Sequence, residues 1–286
     1  MNKPAQPTFF QARQWGGISE LEAQDMGDHF DVDFILEQRL NMSAVELLTH
    51  YQQPMPASDW KQFQVDMAKL LSGMPPQYVI GQTTFYDLPI KINQSTLIPR
   101  VETAELVDWV LADNESDSES VLDIGTGSGA IAIAVKANRP TWAVMASDIS
   151  DEALIVAKTN AVANQTAITF VHSDVLAEID GRFDIIVSNP PYIDIAEKPL
   201  MDQRVLEFEP ETALFALDRG LAIYQRIIDQ LAEHLKKNGQ LYLEIGFKQG
   251  DAVAKMLRQK FPTAQIEVRK DVAGKPRMIR MKMGGR

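Results

Sequence analysis

Cysteine is absent from this 286-residue chain. Disulfides, thiolate metal sites and cysteine nucleophiles are thereby excluded, and a reducing compartment is compatible with the lack. Histidine is scarce: four residues, with no paired spacing that would hold a metal, so no metal site is expected. No apolar run approaches the ~20 residues of a membrane span. The opening Met1-Asn2-Lys3-Pro4-Ala5-Gln6-Pro7 lacks the apolar centre of a secretory signal. Basic charge is also short, 28 Lys and Arg against 39 Asp and Glu, for a formal net charge of −11. Proteins that grip long nucleic acid need a basic face to displace counterions, so direct nucleic-acid binding is not expected. These absences suit a cytoplasmic, monomeric enzyme without a membrane, whose protein partner is basic or neutral at the contact.

What is present is a globular composition, 45% hydrophobic, in a chain long enough for one large or two ordinary domains. Up to about Gly73 the pattern is helical. Ser43-Ala44-Val45-Glu46 forms a capping box opening a helix toward Tyr51. Trp60, Phe63, Met67, Leu70 and Leu71 recur at helical spacing until Gly73 and Pro75-Pro76 stop the run, and this stripe reads as core. From Tyr78 to Ile98 the pattern turns to β, with a turn near Asp87, which predicts a hairpin. Glu102 to Leu111 reads as a helix, and Asp113 to Ser120 as a solvated acidic linker.

After Ser120 strands and helices alternate. Strands are expected at Val121–Ile124, Ala143–Ser147, Ile168–His172, Ile185–Ser188 and Leu241–Ile245, with helices such as Glu152–Ala163 and Leu221–Lys236 between them. Such alternation gives a mostly parallel sheet covered on both faces. Gln265–Arg269 and Arg277–Met281 flank a turn and read as a terminal hairpin. No internal repeat is found.

Two stretches carry chemistry. Val121 to Gly129 is strand, glycine loop, helix, spaced Gly125-Thr126-Gly127-Ser128-Gly129. This is not the Gly-x-Gly-x-x-Gly of dinucleotide binding, and no lysine is present to grip a phosphate. Asp148 ends the next strand, where a carboxylate accepts hydrogen bonds from ribose hydroxyls. Asp174 follows the third strand and is placed to face an adenine amino group. Either alone serves equally well as a strand-end cap; jointly they describe an adenosine site without a diphosphate. Asp123, beside the loop, holds the loop or approaches the ligand's amino group. The second stretch is Asn189-Pro190-Pro191-Tyr192 at the end of the apolar run Phe183–Ser188. Neither proline has an N–H for a ladder, so the strand stops there. A stiff backbone, an Asn amide, a Pro carbonyl and a Tyr ring suit the gripping of a planar NH2 group at the ligand-binding edge of the sheet.

On these residues the chain resembles class I S-adenosylmethionine-dependent methyltransferases and, more narrowly, the HemK/PrmC family, the release factor glutamine methyltransferases. The match runs from about Pro76 to Arg277. It is carried by Pro76-Gln77-Tyr78-Val79-Ile80-Gly81, Phe85, Leu97-Ile98-Pro99-Arg100, the glycine loop, Ser188 to Ile193, Phe208-Glu209-Pro210, Ala213-Leu214 and Leu243-Glu244-Ile245-Gly246. The glycine loop specifies only the superfamily; its combination with the other segments is far more specific. There are two departures. Val101-Glu102-Thr103-Ala104 stands where the family commonly has Pro-Glu-Thr-Glu, and Val175 where it often has an aromatic.

The resemblance implies an α/β, Rossmann-like methyltransferase domain with a mostly parallel seven-stranded sheet, behind a helical N-terminal domain and a β-hairpin linker. The expected divisions are 1–77 for substrate recognition, 78–112 for hairpin and connecting helix, and 113–286 for the methyltransferase domain. It implies S-adenosylmethionine as methyl donor, with S-adenosylhomocysteine as product. Gly125, Thr126, Gly127, Ser128, Gly129, Asp148, Asp174, Val175 and Asn189 would hold it. The implied acceptor is the glutamine of the Gly-Gly-Gln loop of class I peptide chain release factors. Asn189 and the Pro190 carbonyl would accept its two N–H bonds, with Pro191, Tyr192 and Phe85 around the amide. No general base is required. For Arg100, Glu207 and Glu209 a structural ion pair or helix cap is the better reading than a substrate contact. The rival readings are a nucleic-acid amino-methyltransferase, a non-catalytic binding protein on the same fold, and a dehydrogenase, which the loop spacing disfavours.

Overall fold

Seven parallel and antiparallel pairings after Ser120 fix where every candidate residue stands, and a separate helical unit precedes them. The computed structural model describes residues 6–24 and 30–284; the stretch Met1–Ala5, part of the segment read for a secretory signal, lies outside the described residues. The chain divides into two units, Met1–Gln82 and Thr83–Arg286.

The described residues of the first unit form α1 (Phe9–Gln24), α2 (Phe30–Leu40), α3 (Ala44–His50), α4 (Ala57–Leu71) and α5 (Pro76–Ile80). The Ser43–Glu46 capping box is present in full at the start of α3. The α4 stripe is core: Trp60, Phe63, Met67 and Leu70 are buried and Leu71 packs against them. Inside this unit Asp66 is wholly buried, and a bidentate Arg39 compensates its charge at 2.6 and 2.9 Å. Arg39 also donates to the Val79 carbonyl at 3.0 Å, tying α5 to α2. The β reading therefore fails at Tyr78 to Ile80, which are helical. Two prolines preset the first turn of α5, and Gly81 at φ 80° ends it; five residues are too few for periodicity to reveal.

In the second unit β1 (Gln82–Phe85) and β2 (Leu88–Lys91) form the expected hairpin. Its turn residues Tyr86 and Asp87 both take positive φ, 54° and 60°. Helix α6 (Val101–Asp113) follows, opening without a side-chain cap at the segment that departs from the Pro-Glu-Thr-Glu pattern. Then come β3 (Ser120–Ile124), α7 (Ala130–Asn138), β4 (Ala143–Asp148), α8 (Asp151–Ala163), β5 (Ile168–His172) and β6 (Phe183–Ser188). A short irregular region contains β7 (Ile193–Asp194), a 3-10 turn (Ile195–Leu200), α9 (Gln203–Phe208), α10 (Glu211–Leu214), β8 (Phe215–Ala216) and the turn α11 (Leu217–Gly220). The chain finishes with α12 (Ala222–His234), β9 (Leu235–Glu244), α13 (Gly250–Lys260), β10 (Gln265–Lys270) and β11 (Pro276–Lys282). Helix α12 stops two residues before the expected Lys236 because Leu235 is already extended in β9.

The sheet order is β10-β11-β9-β6-β3-β4-β5, with β11 antiparallel to both its neighbours. From β3 the chain winds outward to β4 and β5, then returns to β6 on the other side of β3. The carboxyl ends of β3 and β6 thus meet at the point where the winding reverses, where α/β sheets bind ligands. In register, Ile124 lies opposite Ser188, and the Ser188 hydroxyl donates to the Ile124 carbonyl at 2.7 Å. The glycine loop and the Asn-Pro-Pro-Tyr segment leave the sheet side by side. Strand β6 is buried almost throughout, as a strand covered on both faces should be.

The hairpin is fastened to the sheet domain by two amides, one within α8 and one at its C-terminal cap. Asn160, wholly buried, accepts the Lys91 N–H at 2.8 Å and donates to the Lys91 and Ser128 carbonyls, each at 2.8 Å. Asn164 donates to the Pro89 carbonyl at 2.9 Å.

Candidate active site

The glycine loop turns on backbone that only glycine adopts cheaply. At Gly129, φ is 85° and an added Cβ would stand 3.0 Å from Ile133 Cδ1 and 3.2 Å from Ala157 Cβ, so α7 begins in close contact with α8. Asp123 holds the loop from below: its Oδ2 accepts the Thr126 hydroxyl at 2.6 Å and the Ala132 N–H at 3.2 Å. Of the two roles open to Asp123, holding the loop is the one the structure shows. Burial pushes its pKa up to about 7, against the pull of those two donors, and its Oδ1 has no partner.

Asp148, at the end of β4, stands across from the loop. Its Oδ2 accepts the Gly127 N–H at 2.8 Å and its Oδ1 accepts the Ser150 N–H at 3.0 Å. Burial raises its pKa, and these backbone donors oppose the rise. With the backbone N–H groups of Gly127, Ser150 and Ile149 on it, the carboxylate retains acceptor capacity for a ligand hydroxyl.

Loop and carboxylate border a cavity of about 340 Å³. Gly125, Thr126, Gly127 and Ser128 line one side, with Asp148 beyond them. Asp174 and Val175 line a second side, and Asn189, Pro190 and Pro191 a third. Val175 takes φ 63°, a strained choice for a β-branched residue at the wall of a site. Asp174 is engaged by Arg226 of α12 at 2.7 Å, a half-exposed pair. Arg226 also lines the cavity and was not foreseen; nothing in the helical pattern of α12 marks it. Ser95, Thr96, Leu97 and Pro99 form a further wall, with Pro210, Thr212, Ala213 and Phe215 beside them. The 95–99 segment is fixed by the buried Glu209, which accepts from the Ile98 N–H at 3.4 Å and pairs with Arg100. Arg100 and Glu209 therefore form the structural ion pair expected of them, and Glu207 is exposed.

A second cavity, of about 200 Å³, shares Leu97, Asn189 and Ala213 with the first. Tyr192, Glu244 and Arg100 line it. Asn189 thus stands in the partition. Its Nδ2 donates to Thr103 Oγ1 at 3.0 Å, Thr103 donates to Glu244 Oε2 at 2.6 Å, and the Tyr192 hydroxyl donates to Glu244 Oε1 at 3.2 Å. Burial pushes the Glu244 pKa up to about 7, opposed by these hydroxyls and Arg277, while burial and the facing Glu244 raise that of Tyr192. The Tyr192 carbonyl is clamped in turn: Gln249 donates to it at 2.9 Å, and a Cβ on Gly220 would lie 2.0 Å from it.

Phe85 lines neither cavity. It is 4% exposed, on the inner side of β1. The sequence assigns no role to Glu244, in a matching segment, or to Thr103, in a departing one. The signal for Glu244 was legible: a carboxylate within the apolar run Leu241–Ile245 must find donors.

Comparison with known proteins agrees with this geometry. The methyltransferase small domain family matches residues 103–207 and the PrmC N-terminal domain family matches residues 11–81. A release factor glutamine methyltransferase of Lactococcus lactis is 46% identical over 258 residues, covering 90% of this chain and 96% of its own. One from Enterococcus faecalis is 41% identical, covering 94% of this chain and 97% of its own. Among solved structures, a methyltransferase from Pyrococcus furiosus shares the fold at a TM-score of 0.53 and 16% identity, over 80% of this chain and 100% of that one.

Proposed function

We propose, from the premise that this chain belongs to the release factor glutamine methyltransferase family, that it methylates the side-chain amide nitrogen, N5, of the glutamine in the Gly-Gly-Gln loop of class I peptide chain release factors. The observation that carries this reading is the position of Asn189 in the wall common to two cavities. One cavity suits a nucleoside and the other a small planar amide.

The residues of the larger cavity fit S-adenosylmethionine. Asp148 retains acceptor capacity for the ribose beside its backbone donors. The cavity's arginine, Arg226, is already paired with Asp174, and no lysine lines it, so a diphosphate has no counter-charge there. When bound, S-adenosylmethionine supplies an electrophilic methyl group on sulfur. The glycine loop, Asp148, Asp174 and Val175 hold the nucleoside in this reading, and Asn189 borders the reacting end.

An amide nitrogen is a poor nucleophile because its lone pair is delocalised. Asn189 Oδ1 and the Pro190 carbonyl accept its two N–H bonds, which aims the nitrogen and stabilises positive charge as the new C–N bond forms and the C–S bond breaks. Tyr192 packs beside the planar group. The surplus proton leaves after transfer, so no general base is needed. The helical N-terminal unit contacts the release factor away from the reacting loop, and such remote contacts make a folded factor a better substrate than a free Gly-Gly-Gln peptide.

The test offers labelled S-adenosylmethionine to an intact release factor, to the same factor with its loop glutamine changed, and to DNA and ribosomal RNA. Label is expected on the first alone. Label on nucleic acid with none on the intact factor overturns the reading in favour of a base amino-methyltransferase.

A further inference from the structure

We infer that Thr103 and Glu244 are positioning residues that set which way the Asn189 amide faces, a conclusion that rests on the proposed role of Asn189. An asparagine amide has two nearly isosteric orientations, and only one turns Oδ1 toward an acceptor N–H. Something must break the tie, and a chain of hydrogen bonds does so. Glu244, 1% exposed at the end of β9, is an acceptor at both oxygens when ionised. The Tyr192 hydroxyl donates to Oε1 at 3.2 Å and the Thr103 hydroxyl to Oε2 at 2.6 Å. Thr103 is itself 4% exposed and has one proton to give. With that proton committed to Glu244, its oxygen can only accept from the neighbouring amide. The group at 3.0 Å must then be Asn189 Nδ2, and Oδ1 is left for the acceptor.

The alternative orientation would set Asn189 Oδ1 against a buried oxygen with no proton to offer, and would present an NH2 group to a substrate NH2. Both faults cost the desolvation of unpaired polar groups. The same carboxylate holds the Tyr192 hydroxyl, so one side chain orients both polar members of the Asn-Pro-Pro-Tyr segment. Two strand ends and a helix supply these groups: Asn189 and Tyr192 follow β6, Glu244 ends β9, and Thr103 is in the first turn of α6. The departure from Pro-Glu-Thr-Glu at Val101 and Ala104 leaves Thr103, the member of that segment in the chain, in place.

The experiment measures single-turnover methylation of an intact release factor, and cofactor-product affinity by calorimetry, for wild type, Thr103→Ser, Thr103→Val, Asn189→Ala and the double variant Thr103→Val/Asn189→Ala. Thr103→Val should slow methyl transfer about 10- to 100-fold and change cofactor-product affinity less than about twofold. Thr103→Ser keeps the hydroxyl and should stay within about threefold of wild type. In the Asn189→Ala background Thr103→Val should add less than about twofold, because there is no amide left to orient. Wild-type speed in Thr103→Val, no rescue in Thr103→Ser, or additive losses in the double variant would each overturn the inference. If Thr103→Val does not fold, Thr103→Ala takes its place in the same cycle. Failure of the wild type to label the release factor would instead count against the proposed function itself.

Discussion

Replacing Asp148 by alanine probes two hydrogen-bonding duties at once, and they can be separated. In the structure the carboxylate already holds the Gly127 and Ser150 N–H groups, at 2.8 and 3.0 Å. Its removal strands the Gly127 donor in the wall of the cavity and takes away the acceptor proposed for the ribose hydroxyls. Hydrogen bonds to charged groups are worth about 1.5–3 kcal/mol each. Because the loop donors can recover water when the cavity is empty, a net loss of about 2–4 kcal/mol in binding is expected, or roughly 30- to 1000-fold weaker affinity. Calorimetric titration with S-adenosylhomocysteine reads this directly, with circular dichroism to verify that the variant folds. A thermodynamic cycle then distinguishes ribose contact from loop support. Against wild type, an analogue lacking one ribose hydroxyl should bind about tenfold more weakly; against Asp148→Ala the same deletion should cost less than about twofold. Binding by Asp148→Ala within about threefold of wild type refutes the assignment. Equal losses for the analogue in both proteins would leave Asp148 as a loop support with no hand on the ligand.

Asn189→Ala should slow methyl transfer about 100- to 1000-fold while cofactor-product affinity changes little, and near-normal single-turnover rates would refute its role. Tyr192→Phe, which keeps the ring, should retain more activity than Tyr192→Ala in the same assay, and equal activities would deny the ring its packing role. Asp123 makes stability depend on pH: its native pKa is up near 7 against 3.8 unperturbed, so between those values the unfolded chain has lost a proton that the native protein keeps. Stability conferred by that proton is full below about pH 4 and fades as pH rises to about 7, by up to ~4 kcal/mol. Urea midpoints of wild type relative to Asp123→Asn, which does not titrate there, should therefore fall across this window, and a flat difference would contradict the burial argument. Gly129→Ala must place a methyl against Ile133 and Ala157 at φ 85° and should cost about 1–3 kcal/mol in denaturation free energy; an unchanged midpoint would show that the loop can relax.

The residues that were legible in the sequence are those whose local pattern forces a local structure. Asn189-Pro190-Pro191-Tyr192 had to end a strand because two prolines cannot continue one, and the glycines had to turn the chain after β3. Asp148 followed from strand spacing. The carboxyl-end placement of all three then followed from parallel winding. What was hidden depends on partners far away in the chain. Thr103 and Glu244 meet across 141 residues, and Glu209 reaches Ile98 across 111. No window of sequence contains such a pair, although a Glu inside an apolar strand announces that a partner exists. Arg226 lies on a helix whose polar face gives no sign of facing a cavity. Tyr78 was misread because Tyr-Val-Ile is β-prone in composition, whereas Pro75 and Pro76 set the first turn of a helix. Phe85 was set beside the acceptor amide because its segment matched the family; in the structure it is the buried end of β1.

The two asparagines in and just after α8 that grip β2 have a consequence for how the chain is made. A two-stranded hairpin of this size has little stability of its own. Its shape is borrowed from Asn160, which is 69 residues further along from Lys91. At ribosomal speeds of about 5–20 residues per second, that partner arrives roughly 3–14 s after the hairpin sequence has been synthesised. During that interval the segment from Gln82 to Lys91 has no anchor, and the carbonyl of Ser128 lacks the donor that steadies the glycine loop. Completion of that helix then supplies one amide that reaches both segments, coupling the hairpin to the end of the glycine loop.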